Sequence, residues 1–288
     1  MAAFKEIKKR INAIKSTRKT TSAMKMVSSA KLHKAESTLA NILSYSKAMR
    51  RLLETLLIDG YSNPLTLERP VQNVAIIAFS SDSSLCGAFN ANISRELQKT
   101  IETYKSSCTD DNIFVYTIGK KVYESIRKTG IPITQNFEHL AGKNDYSRIA
   151  DFAASIISQF NKRQIDRVEL IYHRFKSAGT QELKREPLIP AILPTSASKK
   201  QKRQNIDYII EPSREKVLNA MIPKFLTLKL YSALLDSNAS EHAARMVAMQ
   251  TATDNADDLV SQLTIELNKS RQQAITNELL DLIGGSAN

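Results

Sequence analysis

The side chains that could do chemistry are few, and their spacing sets them apart from one another. The loop Ser80-Ser-Asp-Ser-Ser-Leu-Cys-Gly87 gathers hydroxyls, a carboxylate and a thiol, which are the raw materials of a nucleophilic centre. A hydroxyl must hand its proton to a base, and no His stands near this loop in sequence. The segment reads as a turn with a helix cap. Gly119-Lys120 and Gly142-Lys143 hint at a phosphate-binding loop. The first has Phe114 where the leading Gly belongs and Lys121 where a hydroxyl is needed; the second fails likewise at Phe137 and Asn144. His33, His139, His173 and His242 lack metalloprotease spacing, and Cys86 and Cys108 lack the close Cys pairs of a zinc site. His242 falls in a helical stretch and reads as a structural or surface residue. No catalytic residue, cofactor or metal ligand is assigned.

What must position any site is marked by the chain breakers. The eight Gly are residues 60, 87, 119, 130, 142, 179, 284 and 285, so none falls in 1–59 or 180–283. Pro is absent from 1–63 and, apart from Pro223, from 213–283. Because Gly and Pro punctuate regular structure, two long unbroken stretches bracket a middle rich in turns. The expected divisions are 1–60, 72–212 and 213–288.

Both outer stretches carry apolar residues at three- and four-residue steps. The first runs Phe4, Ile7, Ile11, Ile14, blurs through Arg18 and Thr21, then resumes as Leu32, Ala35, Leu39, Ile42, Ser46, Met49, Leu53 and Leu56. The last runs Met246, Met249, Thr253, Ala256, Val260, Leu263, Leu267, Ser270 and Ala274. So narrow a stripe is a coiled-coil seam. Ser213 is placed to cap the last helix, and Pro223 to kink it, because its ring clashes with the Asn219 carbonyl. At 1.5 Å per residue the two helices would span roughly 80 Å and 105 Å, too long for a compact domain. They are expected to pair antiparallel as a rod, with Ala239, Ala243, Ala244, Ala248, Ala252 and Ala256 keeping the seam lean.

Charge is uneven along this arrangement. Residues 1–60 hold thirteen bases and four acids, a surplus of nine within the total of +12; residues 211–288 hold seven bases and ten acids. A basic helix beside a mildly acidic one leaves positive charge facing outward, toward an acidic partner. Leu279, Leu280, Leu282 and Ile283 ring the end of the last helix, where a helix in water should be polar on one side. Either that end folds back into a core or it plugs into an apolar sleeve provided by another molecule, and the rod geometry favours the sleeve.

The middle alternates strand and helix, which argues an open α/β sheet. Strands are expected at Val74–Phe79, Ile113–Ile118 and Arg167–Tyr172, with extended chain at Leu183–Leu193 and Asp207–Ile210. Helices are expected near Ile93–Tyr104, Lys120–Thr129 and Tyr146–Phe160. The basic run at 199–203 reads as a solvated turn. With no apolar run near ~20 residues, no membrane span is expected. Charges throughout 1–30 speak against a secretory signal, the amphipathic pattern from residue 4 against a transit peptide, and two Cys fit an intracellular setting.

Four stretches carry a resemblance: Lys19-Thr-Thr-Ser-Ala-Met-Lys-Met-Val27, Asn238-Ala-Ser-Glu-His-Ala-Ala-Arg-Met-Val-Ala-Met249, Thr251-Ala-Thr-Asp-Asn255 and Ile275-Thr-Asn-Glu-Leu-Leu-Asp281. With Leu85-Cys-Gly87, they make the chain resemble the gamma subunit of F-type ATP synthases over its whole length. The resemblance implies an antiparallel coiled-coil shaft inside a hexamer of alpha and beta subunits. It also implies a Rossmann-like α/β domain near the membrane, against the epsilon subunit and the c-subunit ring. One copy per complex would couple proton flow to ATP synthesis or hydrolysis, peripheral to the cytoplasmic face of a bacterial inner membrane, with no active site or cofactor of its own.

By position, the resemblance implies that Met24 faces a mobile acidic segment of beta. Arg271 and Gln272 would hydrogen-bond a beta loop, with Thr276 and Glu278 nearby, and Leu279, Leu282 and Ile283 would turn in the apolar bearing. Ser83 and Ser84 replace the family's usual Arg-Gly, Ala88 replaces a Gly, and Gln273 stands where a small residue is common, which puts a role for the 80–90 loop in question. The plastid form's dithiol segment has no counterpart. The alternative is a basic coiled-coil protein that binds nucleic acid, supported by the pI of 9.6 and opposed by the absence of Trp and the acidic second helix. A third reading, an enzyme built on the α/β domain, lacks a phosphate loop and a catalytic trio.

Overall fold

A computed structural model describes residues 2–57, 61–105, 112–142, 145–192 and 208–285. Its contacts divide the chain into two units, Met1–Ala30 with Arg245–Asn288, and Lys31–Ala244. Two helices run through both: α1, Ala2–Leu56, and α5, Arg214–Gly285. Ser213 caps α5 as its sequence indicates, with its Oγ accepting from the Lys216 N–H at 3.3 Å. Pro223 lies inside α5, which continues through it. The Asn219 side chain accepts hydrogen bonds from Tyr61 Oη at 2.6 Å and Asn63 Nδ2 at 2.8 Å.

In the first unit, α1 and α5 pair antiparallel along the stripes read from the sequence. Ile11, Met249, Ala256 and Leu263 are buried, and Phe4, Ile7, Ile14, Val260, Leu267, Ser270 and Ala274 are half-buried between them. The stripe that blurs at residue 18 does not stop there. It turns polar: Thr21 and Ser28 are buried, and Thr21 Oγ1 meets Thr253 Oγ1 at 2.8 Å across the pair. Small hydroxyls fit a narrow seam and satisfy one another, which hides the heptad from a search for apolar residues.

The second unit holds a five-stranded sheet in the order β3-β2-β1-β4-β5. Its elements are β1 Val74–Phe79, α2 Phe89–Lys105, β2 Ile113–Ile118, α3 Lys120–Arg127, β3 Gln135–Asn136, α4 Tyr146–Asn161, β4 Arg167–Ser177 and β5 Thr180–Ile189. β1 pairs in parallel with β2 and β4, β2 in parallel with β3, and β4 antiparallel with β5. Helices cover both faces of β1, so all six of its residues are buried and its sequence is apolar without alternation. Val74, Ile76 and Ala78 pack against Ile93, Leu97 and Ile101 of α2 and Val122 and Ile126 of α3. On the other face Tyr116 meets Phe152 of α4. Each fully buried Ile or Leu contributes ~1.5–3 kcal/mol against exposure. A separate cluster joins Met49, Leu53 and Leu56 of α1 to Leu218 and Leu228 of α5.

Three extended segments differ from expectation. β4 runs past Tyr172 to Ser177, and β5 starts at Thr180 and stops at Ile189. Residues 174–186 are mostly polar, six of the thirteen being charged, so the hairpin is held by its ladder and by pairs such as Lys176 with Glu182 at 2.8 Å rather than by apolar alternation. Tyr208–Ile210 belong to no strand, and Asp207 lies outside the described residues. So do Cys108 and the basic run 199–203.

Candidate functional site

The outward face of the helix pair begins with charge. Lys5, Lys8, Lys9, Arg10, Lys15, Arg18 and Lys19 are all exposed on α1. Arg18 Nη1 donates to Asp257 Oδ1 at 2.6 Å, a pair about half exposed at both ends. Water screens such a bridge to ~0–1 kcal/mol, so it steers the two helices more than it fastens them. Met24 is half-buried, and its carbonyl accepts from Ser28 Oγ at 2.8 Å; its neighbours Met26 and Val27 are 70% and 55% exposed. A thioether with two apolar neighbours facing outward interrupts the basic face.

The Thr21–Thr253 and Arg18–Asp257 contacts also give the register of the pair. Both helices rise equally per residue, so the first residues of α1 come level with Arg271 and Gln272. Beyond them α5 has none of the described residues of α1 opposite. Arg271, Gln272 and Thr276 are exposed, and Thr276 Oγ1 is engaged with the Gln272 carbonyl at 2.9 Å. Leu279 and Leu280 are 54% and 60% exposed, and Ile275 is 47% exposed. At ~100° per residue, Arg271, Gln272, Ile275, Thr276 and Leu279 share one side of α5, while Leu267, Ser270 and Ala274 belong to the seam. The side chains of Glu278, Leu282 and Ile283 lie outside the described residues. Isoleucine and leucines exposed on a helix end form an apolar patch that calls for a cover.

The 80–90 loop is a closed hydrogen-bonded knot. Ser81 Oγ donates to the Ser83 carbonyl at 2.7 Å, Asn90 Nδ2 donates to Ser81 Oγ at 2.7 Å and approaches Cys86 Sγ at 3.1 Å, and Asp82 Oδ1 accepts from the Lys120 N–H at 3.1 Å. The carboxylate thus caps α3 from the neighbouring loop, at the same edge of the sheet. Gly119 lets the two loops meet: its φ is +103°, and a Cβ there would fall 2.3 Å from the Ser80 carbonyl oxygen. His173 stacks on Phe89 at 4.5 Å, and burial lowers its pKa to about 4, so it is neutral at physiological pH. Among the described residues no three His, Cys, Asp or Glu side chains gather as a metal site, and no helix is long and apolar enough to cross a membrane.

A second charged cluster lies at the opposite end of β4. Glu169 is buried and accepts from Arg185 Nε at 2.6 Å, Arg167 Nε at 3.0 Å and the Tyr104 hydroxyl. Burial works against its charge, but the two guanidiniums and the hydroxyl prevail and hold its pKa below the usual range. Burial, reinforced by Glu169, pushes Tyr104 up to about 12. The arrangement ties α2 to the two-stranded edge of the sheet.

A family model described as ATP synthase matches residues 3–288. An ATP synthase gamma chain of Bacteroides fragilis is 49% identical over 290 residues, covering 99% of each chain. One from Flavobacterium psychrophilum is 38% identical over 294 residues, covering 99% of this chain and 98% of its own. Among solved structures, the rotor of the Euglena gracilis mitochondrial ATP synthase in rotational state 1 matches with a TM-score of 0.64 at 17% identity, over 95% of this chain and 99% of that one. A chain of the OSCP/F1/c-ring assembly from the same organism matches at 0.67 and 19% identity, over 99% and 94%. At such identities these structures speak for the fold.

Proposed function

Because this chain belongs to the family of ATP synthase gamma chains, we propose that it is the rotor shaft of such a complex, coupling ion flow through a c-subunit ring to ATP turnover in an alpha–beta hexamer. The observation that carries this reading is the antiparallel pair in which α5 outruns α1 and ends in exposed Leu279 and Leu280. A terminus of that kind suits rotation in an apolar sleeve, where no polar group need be broken and remade at each step.

The mechanism follows from asymmetry. α1 and α5 present different residues around the pair, so three identical beta subunits meet three different surfaces. A partner shifts a conformational equilibrium only by its differential affinity for the states. Turning the pair therefore selects which beta subunit is open, and by reciprocity the nucleotide state of beta drives the pair round. Strong contacts would stall such a shaft, and exposed charges worth ~0–1 kcal/mol each suit it.

In this reading Met24 and the basic face of α1 meet an acidic segment of beta, and Arg271, Gln272, Thr276 and Glu278 engage a beta loop. Leu279, Leu282 and Ile283 form the bearing. The α/β domain, within 72–212, faces epsilon and the c ring, and the outer stretches 1–60 and 213–288 serve as the shaft. The chain carries no bond chemistry itself and is held at the cytoplasmic face of the membrane through the ring. The basic charge of α1 is assigned to protein partners, which leaves the nucleic-acid alternative without support. A fluorescent bead on this chain in an immobilised hexamer tests the reading. Stepwise rotation on addition of ATP is expected, and hydrolysis with a stationary bead would refute it.

A further inference from the structure

In open α/β sheets, ligands settle outside the carboxyl ends of the strands where the strand order reverses. Here that point lies between β1 and β4. It is filled from within. On one side Phe89 stacks on His173. On the other, α5 takes the backbone groups that a ligand would meet: Ser240 Oγ donates to the His173 carbonyl at 3.1 Å, and Asp236 Oδ1 accepts from the Phe175 N–H at 3.2 Å. The ladder between β4 and β5 shifts register between Phe175 and Ser177, at the place where the Phe175 N–H turns to Asp236.

The stretch of α5 in this crevice is unusual in composition. Asp236, Ser237, Asn238, Ser240 and Glu241 are all buried, whereas a helix needing only to adhere would carry Leu or Ala there. Apolar contacts such as those of Leu230, Leu234 and Leu235 tolerate sliding and rolling. Hydrogen bonds to fixed backbone groups have a direction and specify one angle. We infer that Asp236, with Ser240, is a positioning residue that keys α5 into the sheet's switch-point crevice and fixes the helix's angular setting, so that twisting load passes between α5 and the α/β domain there. The inference rests on the rotor reading above and deepens it.

The groups facing Asp236 are Arg174 and Tyr172 of β4 and Glu186 of β5, with Lys229 of α5 reaching the Pro187 carbonyl at 2.6 Å. Burial first, and then Glu186, raise the Asp236 pKa to about 6, against the pull of the Phe175 N–H and Arg174. The key therefore changes charge within an accessible pH range.

The test uses the intact membrane complex carrying Asp236→Asn, Asp236→Leu or Ser240→Ala. Asparagine keeps an oxygen for the Phe175 N–H; leucine removes it. In Asp236→Leu the Phe175 amide should exchange about tenfold faster, as expected for loss of one buried hydrogen bond. Proton pumping per ATP hydrolysed should fall severalfold while the subunits still co-purify and hydrolyse ATP. Asp236→Asn should restore both and flatten the pH profile of coupling between pH 5 and 7. Unchanged pumping per ATP in Asp236→Leu, despite faster exchange, would overturn the inference, as would Asn performing as poorly as Leu. If Asp236→Leu fails to assemble, Ser240→Ala, which removes a single bond, decides by the same ratio. A parental complex that hydrolyses ATP without rotating this chain would instead sink the rotor reading.

Discussion

The Glu169 cluster gives a quantitative test of how the α/β domain is held together. Glu169→Gln removes the charge that Arg185 and Arg167 share while nearly keeping the shape, and Arg185→Met removes the shorter of the two bridges. Breaking a buried pair costs ~3–5 kcal/mol when the survivor stays buried. The two survivors differ here. The arginine side chains are 30% and 31% exposed and regain water easily, whereas the Glu169 side chain is 4% exposed. Arg185→Met leaves the buried Glu169 with only Arg167 and the Tyr104 hydroxyl and should cost ~2–3 kcal/mol, and Glu169→Gln should stay nearer ~1–2 kcal/mol. The sign of the pH dependence follows from the lowered carboxyl pKa. The folded state binds the proton less tightly than the unfolded one, so the contribution is complete above the ordinary Glu pKa and is lost as pH falls through and below it. Urea unfolding followed by near-UV circular dichroism of the tyrosines, at pH 7 and pH 4, measures both effects, since the chain has no Trp. The parent should lose more stability than Glu169→Gln between those pH values, and Tyr104 should ionise lower in the variant. Equal pH slopes, or Glu169→Gln costing more than Arg185→Met, would refute the reasoning.

Gly119→Ala should be among the costliest single-atom additions in the chain, at ~3 kcal/mol or more, because it combines a disfavoured φ with a clash against the Ser80 carbonyl; calorimetry checks it. Replacing either Thr21 or Thr253 by Val should cost ~0.5–1.5 kcal/mol, and replacing both should cost less than the sum, because an apolar seam regains what the hydroxyl pair gave; a double-mutant cycle measures this. Met24→Lys, which adds a cation to the α1 face, should lower proton-driven ATP synthesis in reconstituted vesicles while assembly survives. Arg271→Ala, at an exposed position, should slow turnover of the complex by much more than it shifts this chain's own unfolding midpoint.

Much of the fold is legible because it is written in period and punctuation. β1 and β2 fall on the residues expected, since a strand buried on both faces is a short apolar block with sharp ends. The seam positions of both long helices follow the stripes residue by residue. Where the code was hydrogen bonding, the reading thinned. Thr21 and Ser28 look like surface residues until a second helix stands opposite them. The β4–β5 hairpin hides in charged sequence because cross-strand pairs such as Lys176–Glu182 become visible only after folding. The 80–87 loop reads as a turn with a helix cap, but sequence does not show that the helix Asp82 caps is α3, 38 residues away. Asp236 carried no signal at all, because its partner is a backbone amide. Met24 and Arg271 are singled out by the resemblance alone, and Leu279 by the apolar helix end as well; Met24 is half-buried and the other two are exposed.

The extension of α5 past the start of α1 bears on how an assembly would form. The leucine-bearing turns continue a helix already nucleated along the pair, so they need only propagate, while none of the described residues of α1 stands opposite to cover their apolar side chains. In the rotor reading, a hexamer closing around them would bury that surface on a segment already set in helical form. The same turns would then report, through amide exchange, whether a given chain has been housed.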